Sequence, residues 1–561
     1  MRPTASRAVG PAAEDLAQAT PAEAAGDSIS VATWTLLSRI TGVVRIATIG
    51  AVLGPTFFGN TFQFTNSLPN LVYYGFLGGS LFSSLLVPAL VQHIDSGDRA
   101  ASERVAGGFL GLTVAALVAV VPIAVLLGPI LLGTAVGTGH SGGGSQQELG
   151  RTLILLFAPQ VFGYAIVGSA TAAMNAHRRF ALASAAPAFE NIGIICILGL
   201  TALIYGTSHG LADVPTGEVL LLGLGTTGAV LLHAAVQWWG ARRVGVTLRP
   251  RAGWRDPEVR VVVRRALPSL AQAGLIALQT LVLLSIANRV AGGVVAFQIA
   301  LNFYTLAIAL GATPVALSLL PRLARMHARG DRTMFSDTLA RGYALAFFVA
   351  IPASVGYAAL AVPLAHAISF GRMNNAQGVS MVAGSIAALS VAVLAQTAFM
   401  IATYASYART ETRAPLRSMA LQAVVCLVLL SLVVTQRGTG IPALIGGAFS
   451  LSVLIGAVHL TRGLARSVGA GSYRMAPSLL KVLAGSALMA GPAWLAASLL
   501  NRLVQGPVGA LLAIAVGVAV GGGIFLRSQS LLRTPELGWL ADGVTGVLGR
   551  KKAPAIGVGH V

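Results

Sequence analysis

Charged residues are what this sequence most lacks. Asp, Glu, Lys and Arg make up only 10% of its 561 positions, while 55% are hydrophobic. Soluble domains carry about 25% charged residues, and a water-soluble fold of this length would need far more polar surface. Cysteine is almost absent. Cys196 and Cys426 are the only two, and both lie in apolar stretches, which argues against a disulfide framework. There is no zinc or calcium ligand spacing and no Walker-type phosphate loop. No metal, no other cofactor, no ATPase domain and no enzymatic activity are therefore expected.

With water excluded, the remaining solvent is lipid. There every backbone polar group must be paired internally, so the chain must form helices or a closed barrel. A spanning helix needs about 20 apolar residues, a barrel strand about 10 with polar alternation. The runs here are about 20 to 30 residues long and do not alternate. The expected fold is an all-α polytopic membrane protein. Its spans fall at about 30–54, 60–88, 106–133, 151–174, 181–206, 217–241, 265–288, 291–320, 339–362, 377–403, 416–436, 440–461, 477–500 and 504–526. The first apolar run is long enough to span and does not follow a basic leader, so it reads as a helix, not a cleaved signal.

Net charge is +20. It sits in short loops, which points to membrane orientation and away from nucleic acid. Loops after even-numbered spans hold Arg99 and Arg104, Arg178 and Arg179, eight arginines from Arg242 through Arg265, and Arg322, Arg325, Arg329 and Arg332. Arg409 and Arg413, then Arg462, Arg466 and Arg474, continue the series, and the tail ends in Arg550, Lys551 and Lys552. The other side holds only Arg151, Arg289, Arg372, Arg437 and Arg502. A missed span would have scrambled this alternation. The basic side is read as cytoplasmic, with both termini on it. The organisation expected is a disordered N-terminus over 1–28, an N-lobe over 29–241, a basic linker over 242–264, a C-lobe over 265–461, two further helices over 477–526 and a tail over 527–561. A faint repeat, Leu86-Val87-Pro88-Ala89-Leu90 against Leu319-Leu320-Pro321-Arg322-Leu323, fits paired six-helix halves around a central cavity.

Polar residues inside apolar spans are the candidates for function. Arg39 lies about ten residues into the first span, about 15 Å from its start, where an unpaired arginine costs at least about 2.5–3.5 kcal/mol. Arg45 follows six residues later, about 120° around the helix. Ser38 and Gly42 flank them. Arginine forks bind phosphate oxygens in two-pronged fashion, so an anionic headgroup in a wet cavity is one reading. Pairing with Glu190, or simple orientation, is the other. The second span carries Asn60, Asn70 and Tyr73 around Pro69, too polar to face lipid. Its Gly75, Gly78 and Gly79 allow close packing or hinging. Glu190 is the most conspicuous intramembrane acid, open to pairing, proton coupling or a helix-start role. Asn302 is a hydrogen-bonding candidate in the eighth span. His233 and His459 read as polar packing.

At these residues the chain resembles a known family. Ser38-Arg39-Ile40-Thr41-Gly42-Val43-Val44-Arg45, then Leu53-Gly54, Leu68-Pro69-Asn70-Leu71 and Val87-Pro88 are similar to the MurJ/MviN lipid II flippases of the multidrug/oligosaccharidyl-lipid/polysaccharide exporter superfamily. Asn175 to Phe180, Ala186-Pro187-Ala188-Phe189-Glu190-Asn191 and Leu320-Pro321-Arg322-Leu323 agree in order. The resemblance implies outward movement of an undecaprenyl-pyrophosphate-linked substrate across the phospholipid bilayer of the bacterial cytoplasmic membrane. It also implies two lobes rocking around a cationic cavity, with Arg39, Arg45 and Asn70 at family cavity positions. The chain departs from the pattern elsewhere. A family arginine falls on Tyr73, a family acid on Asn60, another acid on Gly78-Gly79, and a further arginine near Asn302. A flippase for another polyprenyl-linked saccharide, or a proton- or cation-coupled exporter using Glu190, therefore stays open. A monomer, with cell-wall synthesis proteins as possible partners, is expected. Arg39 and Arg45 are expected to converge on the diphosphate, with Tyr73 offering its hydroxyl beside them.

Overall fold

A computed structural model describes residues 21–77, 86–135, 143–177, 179–207, 209–211, 213–469, 471–504 and 506–541. Among these, thirteen helices are long and apolar enough to cross a membrane. They coincide in order with every predicted span except the second. That region contains two shorter helices and a π-helical turn, and residues 78–85, with Gly78 and Gly79, lie outside the described residues. The count of fourteen is thus met at thirteen places.

In chain order the N-terminal half contains α1 (Pro21–Leu53), α2 (Phe57–Leu71), α3 (Val87–Asp95), α4 (Arg99–Ala135), α5 (Gly143–Phe157), α6 (Gln160–Ala176), α7 (Phe180–Tyr205) and α8 (Thr216–Arg243). The C-terminal half contains α9 (Pro257–Ala287), α10 (Gly293–Leu310), α11 (Ala312–Ala328), α12 (Arg332–Ala359), α13 (Ala361–Ile368), α14 (Ala376–Ala408), α15 (Arg413–Val433) and α16 (Ile441–Val468). Two helices, α17 (Ala476–Leu503) and α18 (Pro507–Leu531), follow and pack on each other. Large apolar side chains such as Leu203, Leu126 and Leu480 stand exposed along the helices, as they must where the surroundings are hydrocarbon.

Three boundaries differ from expectation. The stretch from Pro21 is already helical, because Pro-Ala-Glu-Ala-Ala joins a favourable first-turn proline to strong helix formers. The basic linker is not loose. The amide of Arg251 donates to the Gly107 carbonyl of α4 at 2.9 Å, Gly253 and Gly108 are in backbone contact, and α9 starts at Pro257. The tail is docked at its beginning. Buried Glu536 accepts from Tyr473 Oη at 3.1 Å and Ser478 Oγ at 2.6 Å. Beside that carboxylate, burial and the adjacent negative charge push the Tyr473 phenol up to about 12.

Both halves carry a discontinuous second helix. In the first, Pro69 sits inside α2 and a π-helical turn, Val72–Leu77, follows it. Proline removes a backbone donor, and a wider turn absorbs the mismatch. In the second, the chain breaks at Gly311 between α10 and α11. Interrupted helices at matching places in two halves are the form in which transporters build a site at mid-membrane.

The halves meet tightly at the arginine-poor face. Asn60 is fully buried. Its Nδ2 donates to the Val290 carbonyl at 2.7 Å, and its Oδ1 accepts from the Val294 amide at 3.0 Å. Gly292 N–H donates to the Thr56 carbonyl at 3.3 Å, and Gln146 Nε2 to Asn288 Oδ1 at 3.0 Å. Arg372 reaches the Leu53 carbonyl at 3.5 Å. Gly292 has φ +78°, and a β-carbon there would lie 2.3 Å from the Pro55 α-carbon, so only glycine fits this approach. A second close approach lies on the other side, where a β-carbon on Gly75 would lie 2.0 Å from that of Ala277 in α9.

Candidate functional site

Between the halves lies a cavity of about 370 Å³. The N-terminal half lines it with Arg45 and Ile46 of α1, with Gln63, Asn66, Ser67 and Asn70 of α2, and with Tyr164 of α6. The C-terminal half contributes Gln279 and Thr280 of α9, and Gln298, Asn302, Tyr304 and Thr305 of α10. Gln396 of α14, Gln422 of α15 and Phe449 of α16 complete its wall. Five glutamines and three asparagines surround one cation. Neutral amides offer a donor and an acceptor each, so the wall suits a ligand rich in hydroxyls and amides with few charges.

Arg45 is not free. Its Nη1 lies 3.5 Å from Glu190 Oε1. Tyr164 Oη donates to the same oxygen at 3.0 Å, and His233 Nδ1 lies 2.8 Å from Oε2. Four side chains from α1, α6, α7 and α8 thereby tie the N-terminal half together. For Glu190 the sequence leaves open pairing, proton coupling and a helix-start role, and it reads His233 as polar packing. Pairing is what the geometry has. A buried carboxylate needs such partners, because an uncompensated charge in a low-dielectric interior is costly. Asn191, the next residue, donates to the Ser38 carbonyl at 3.2 Å and to Thr41 Oγ1 at 3.1 Å, and Gly42 packs against its amide.

Arg39 is exposed and is not part of the cavity wall. It precedes Ile46 by seven residues, so both lie on one helical stripe, about 10 Å apart. In place of the expected convergence of Arg39 and Arg45 on one diphosphate, the two stand in series along α1, with Arg45 alone in the cavity wall.

Two further expectations are corrected. Asn60 does not line the cavity. Both its amide atoms are used by Val290 and Val294, which makes it a clamp between the halves. Tyr73 does not line it either. It is fully buried, with its ring stacked on Tyr164 at 6.1 Å, because the π-helical turn rotates it into the core. Asn70 and Asn302 do line the cavity, and Asn302 Nδ2 bonds back to the Gln298 carbonyl at 2.8 Å. Gln63 belongs to the polar second span, but Gln279, Gln298, Gln396 and Gln422 were missed. Their only sequence signal is an uncharged polar residue within an apolar run, at Gln279, Gln396 and Gln422.

The model of a family described as lipid II flippase MurJ matches residues 49–517. The chain belongs to the MurJ family. A probable lipid II flippase MurJ from Haemophilus influenzae is 26% identical over 481 residues, covering 82% of this chain and 90% of that protein. Among solved structures, a lipid II flippase MurJ in an inward closed conformation superposes with a TM-score of 0.69 at 16% identity, over 90% of this chain and 99% of its own. An inward-facing multidrug resistance MATE family transporter of the MOP superfamily gives a TM-score of 0.58 at 13% identity, over 77% and 94%. The MurJ fold is therefore that of a multi-pass membrane transporter. Within it, this chain presents an amide-lined cavity with a single arginine.

Proposed function

We propose that this protein moves a lipid-linked peptidoglycan precursor from the inner to the outer leaflet of the bacterial cytoplasmic membrane by alternating access of its two halves. The carrying observation is a polar cavity between the halves of a MurJ-family fold, closed at the arginine-poor face. The arginine distribution supports cytoplasmic termini and an inward-oriented cavity. The pyrophosphate takes Arg45 in exchange for part of its hold on Glu190. Arg39, about 10 Å nearer the basic end, engages the anion first. The substrate, the bilayer and cell-wall synthesis enzymes are its partners, and the chain acts as a monomer.

The test is lipid II exposure at the outer leaflet in cells depleted of the native flippase, with wild-type protein and with Arg45→Ala and Arg39→Ala variants at matched levels. Exposure restored by the wild type and lost with Arg45→Ala supports the reading. Exposure that persists in both variants removes the arginine mechanism. A second reading, transport of another polyprenyl-linked saccharide, draws on Tyr73, Asn60 and Asn302 standing where the family pattern has charge. It predicts normal lipid II turnover on depletion, with a different glycan lipid accumulating.

A further inference from the structure

Gln279 of α9 and Gln422 of α15 form a hydrogen-bonding fork in the cavity wall. Gln422 Nε2 donates to Gln279 Oε1 at 3.4 Å. That leaves Gln279 Nε2 and Gln422 Oε1 without a hydrogen-bond partner and closed to solvent, so a ligand group reaches them only as the two side chains swing toward the cavity. The two side chains are 7% and 5% exposed, and both belong to the cavity lining. The Cys426 thiol lies beside Gln279, but a thiol is only a weak partner for an amide N–H. Reversing both glutamines reverses the internal bond and again leaves one N–H and one carbonyl free.

A buried donor beside a buried acceptor is costly when empty. The group that satisfies both at once is a secondary amide, whose carbonyl accepts from one glutamine while its N–H donates to the other. A hydroxyl can serve one partner well but is a poorer match to the pair. We propose that this fork is a subsite for an amide of the substrate headgroup, such as the acetamido group of an N-acetylated amino sugar, and that it selects acetamido sugars over plain hexoses. This rests on the reading of the protein as a polyprenyl-pyrophosphate-sugar flippase. It assigns the C-terminal half to the sugar and leaves the phosphates to Arg45. The fork and Arg45 lie on different halves, so the two recognition events are separable.

The experiment is equilibrium binding to purified full-length protein in lipid nanodiscs. The probes are undecaprenyl pyrophosphate bearing N-acetylglucosamine and the same lipid bearing glucose. Wild type is expected to bind the acetamido probe about 10- to 100-fold more tightly, the range for leaving a pair of buried polar groups unmatched. Gln279→Met with Gln422→Met should bring that ratio close to one, while Arg45→Ala should weaken both probes and keep the ratio. A wild-type ratio near one with both probes bound overturns the fork and leaves the flippase reading intact, and this comparison needs no variant to fold. A double variant that retains the wild-type ratio also overturns the fork. Failure of wild type to bind either probe overturns the underlying reading instead.

Discussion

Replacing Gly292 by valine should hold the two halves apart at the arginine-poor face. A β-carbon at this position would lie 2.3 Å from the Pro55 α-carbon and 2.9 Å from its carbonyl carbon. Both are backbone atoms, so no side-chain rotation relieves the contact, and the turns must separate by about 1 Å to reach ordinary van der Waals distance. The left-handed backbone at φ +78° also disfavours valine, but that strain is present whether the halves are together or apart. The clash alone discriminates. Separation breaks the Gly292–Thr56 bond and both Asn60 bonds. At about 1 kcal/mol each, closure loses about 3 kcal/mol, a shift of more than about 100-fold in the closed-to-open ratio. The measurement is pulsed electron paramagnetic resonance between spin labels at Phe57 and Gln377, in a background with Cys196 and Cys426 replaced by serine. The distance distribution should move to longer values in Gly292→Val, with transport stalled. An unchanged distribution in a folded variant would refute the claim that this glycine permits closure.

Other outcomes follow from the same geometry. Asn60→Ala leaves the Val294 amide without its side-chain acceptor, while the Val290 carbonyl keeps the Gly293 N–H, and should weaken closure by about 1–3 kcal/mol, read with the same labels. Glu190→Ala strands Arg45 in the N-terminal half and removes the acceptor of Tyr164 and His233. It should lower stability by about 3–5 kcal/mol, seen as a depressed thermal midpoint in detergent. Gly75→Val drives a side chain into Ala277 and should reduce folded yield far more than Gly228→Ala, where nothing lies within 4 Å. The Tyr473 phenol is raised above its ordinary value of 10.0 to about 12. Its contribution to docking the tail is complete below about pH 10 and is lost as pH rises through about 12. Protease protection of the tail should hold from pH 6 to 9 and weaken only in strong alkali, unlike in Tyr473→Phe.

The spans and their order were legible because hydrocarbon imposes a length and a composition on each helix separately. Arginines in the loops then fixed their alternation. The site was legible only where a residue is anomalous on its own. Arg45 and Glu190 stood out as charges in apolar runs, and Asn70 as an amide beside a proline. Asn60 and Tyr73 looked the same from sequence and went elsewhere, because a helix break near Pro69 and a partner 230 residues away decide where they point. The glutamines carry no local pattern. Gln63, Gln279, Gln298, Gln396 and Gln422 come from five helices, and only packing of the two halves brings them to one wall.

The contacts that close the arginine-poor face have a bearing on where the protein works. Asn60, Gln146 and Asn288 are amides, and the groups contributed by Thr56, Val290, Gly292 and Val294 are main chain. Arg372 ends on a carbonyl and not on a carboxylate. None of these contacts pairs a base with an acid, so there is no ionic partnership for salt to screen or for protons to dissolve. In the orientation proposed above this face meets the exterior, where acidity and salinity change with the surroundings. A seal of neutral dipoles with one guanidinium among them would close with nearly the same strength in dilute and briny media alike, and would leave the timing of opening to the cargo and not to the weather outside.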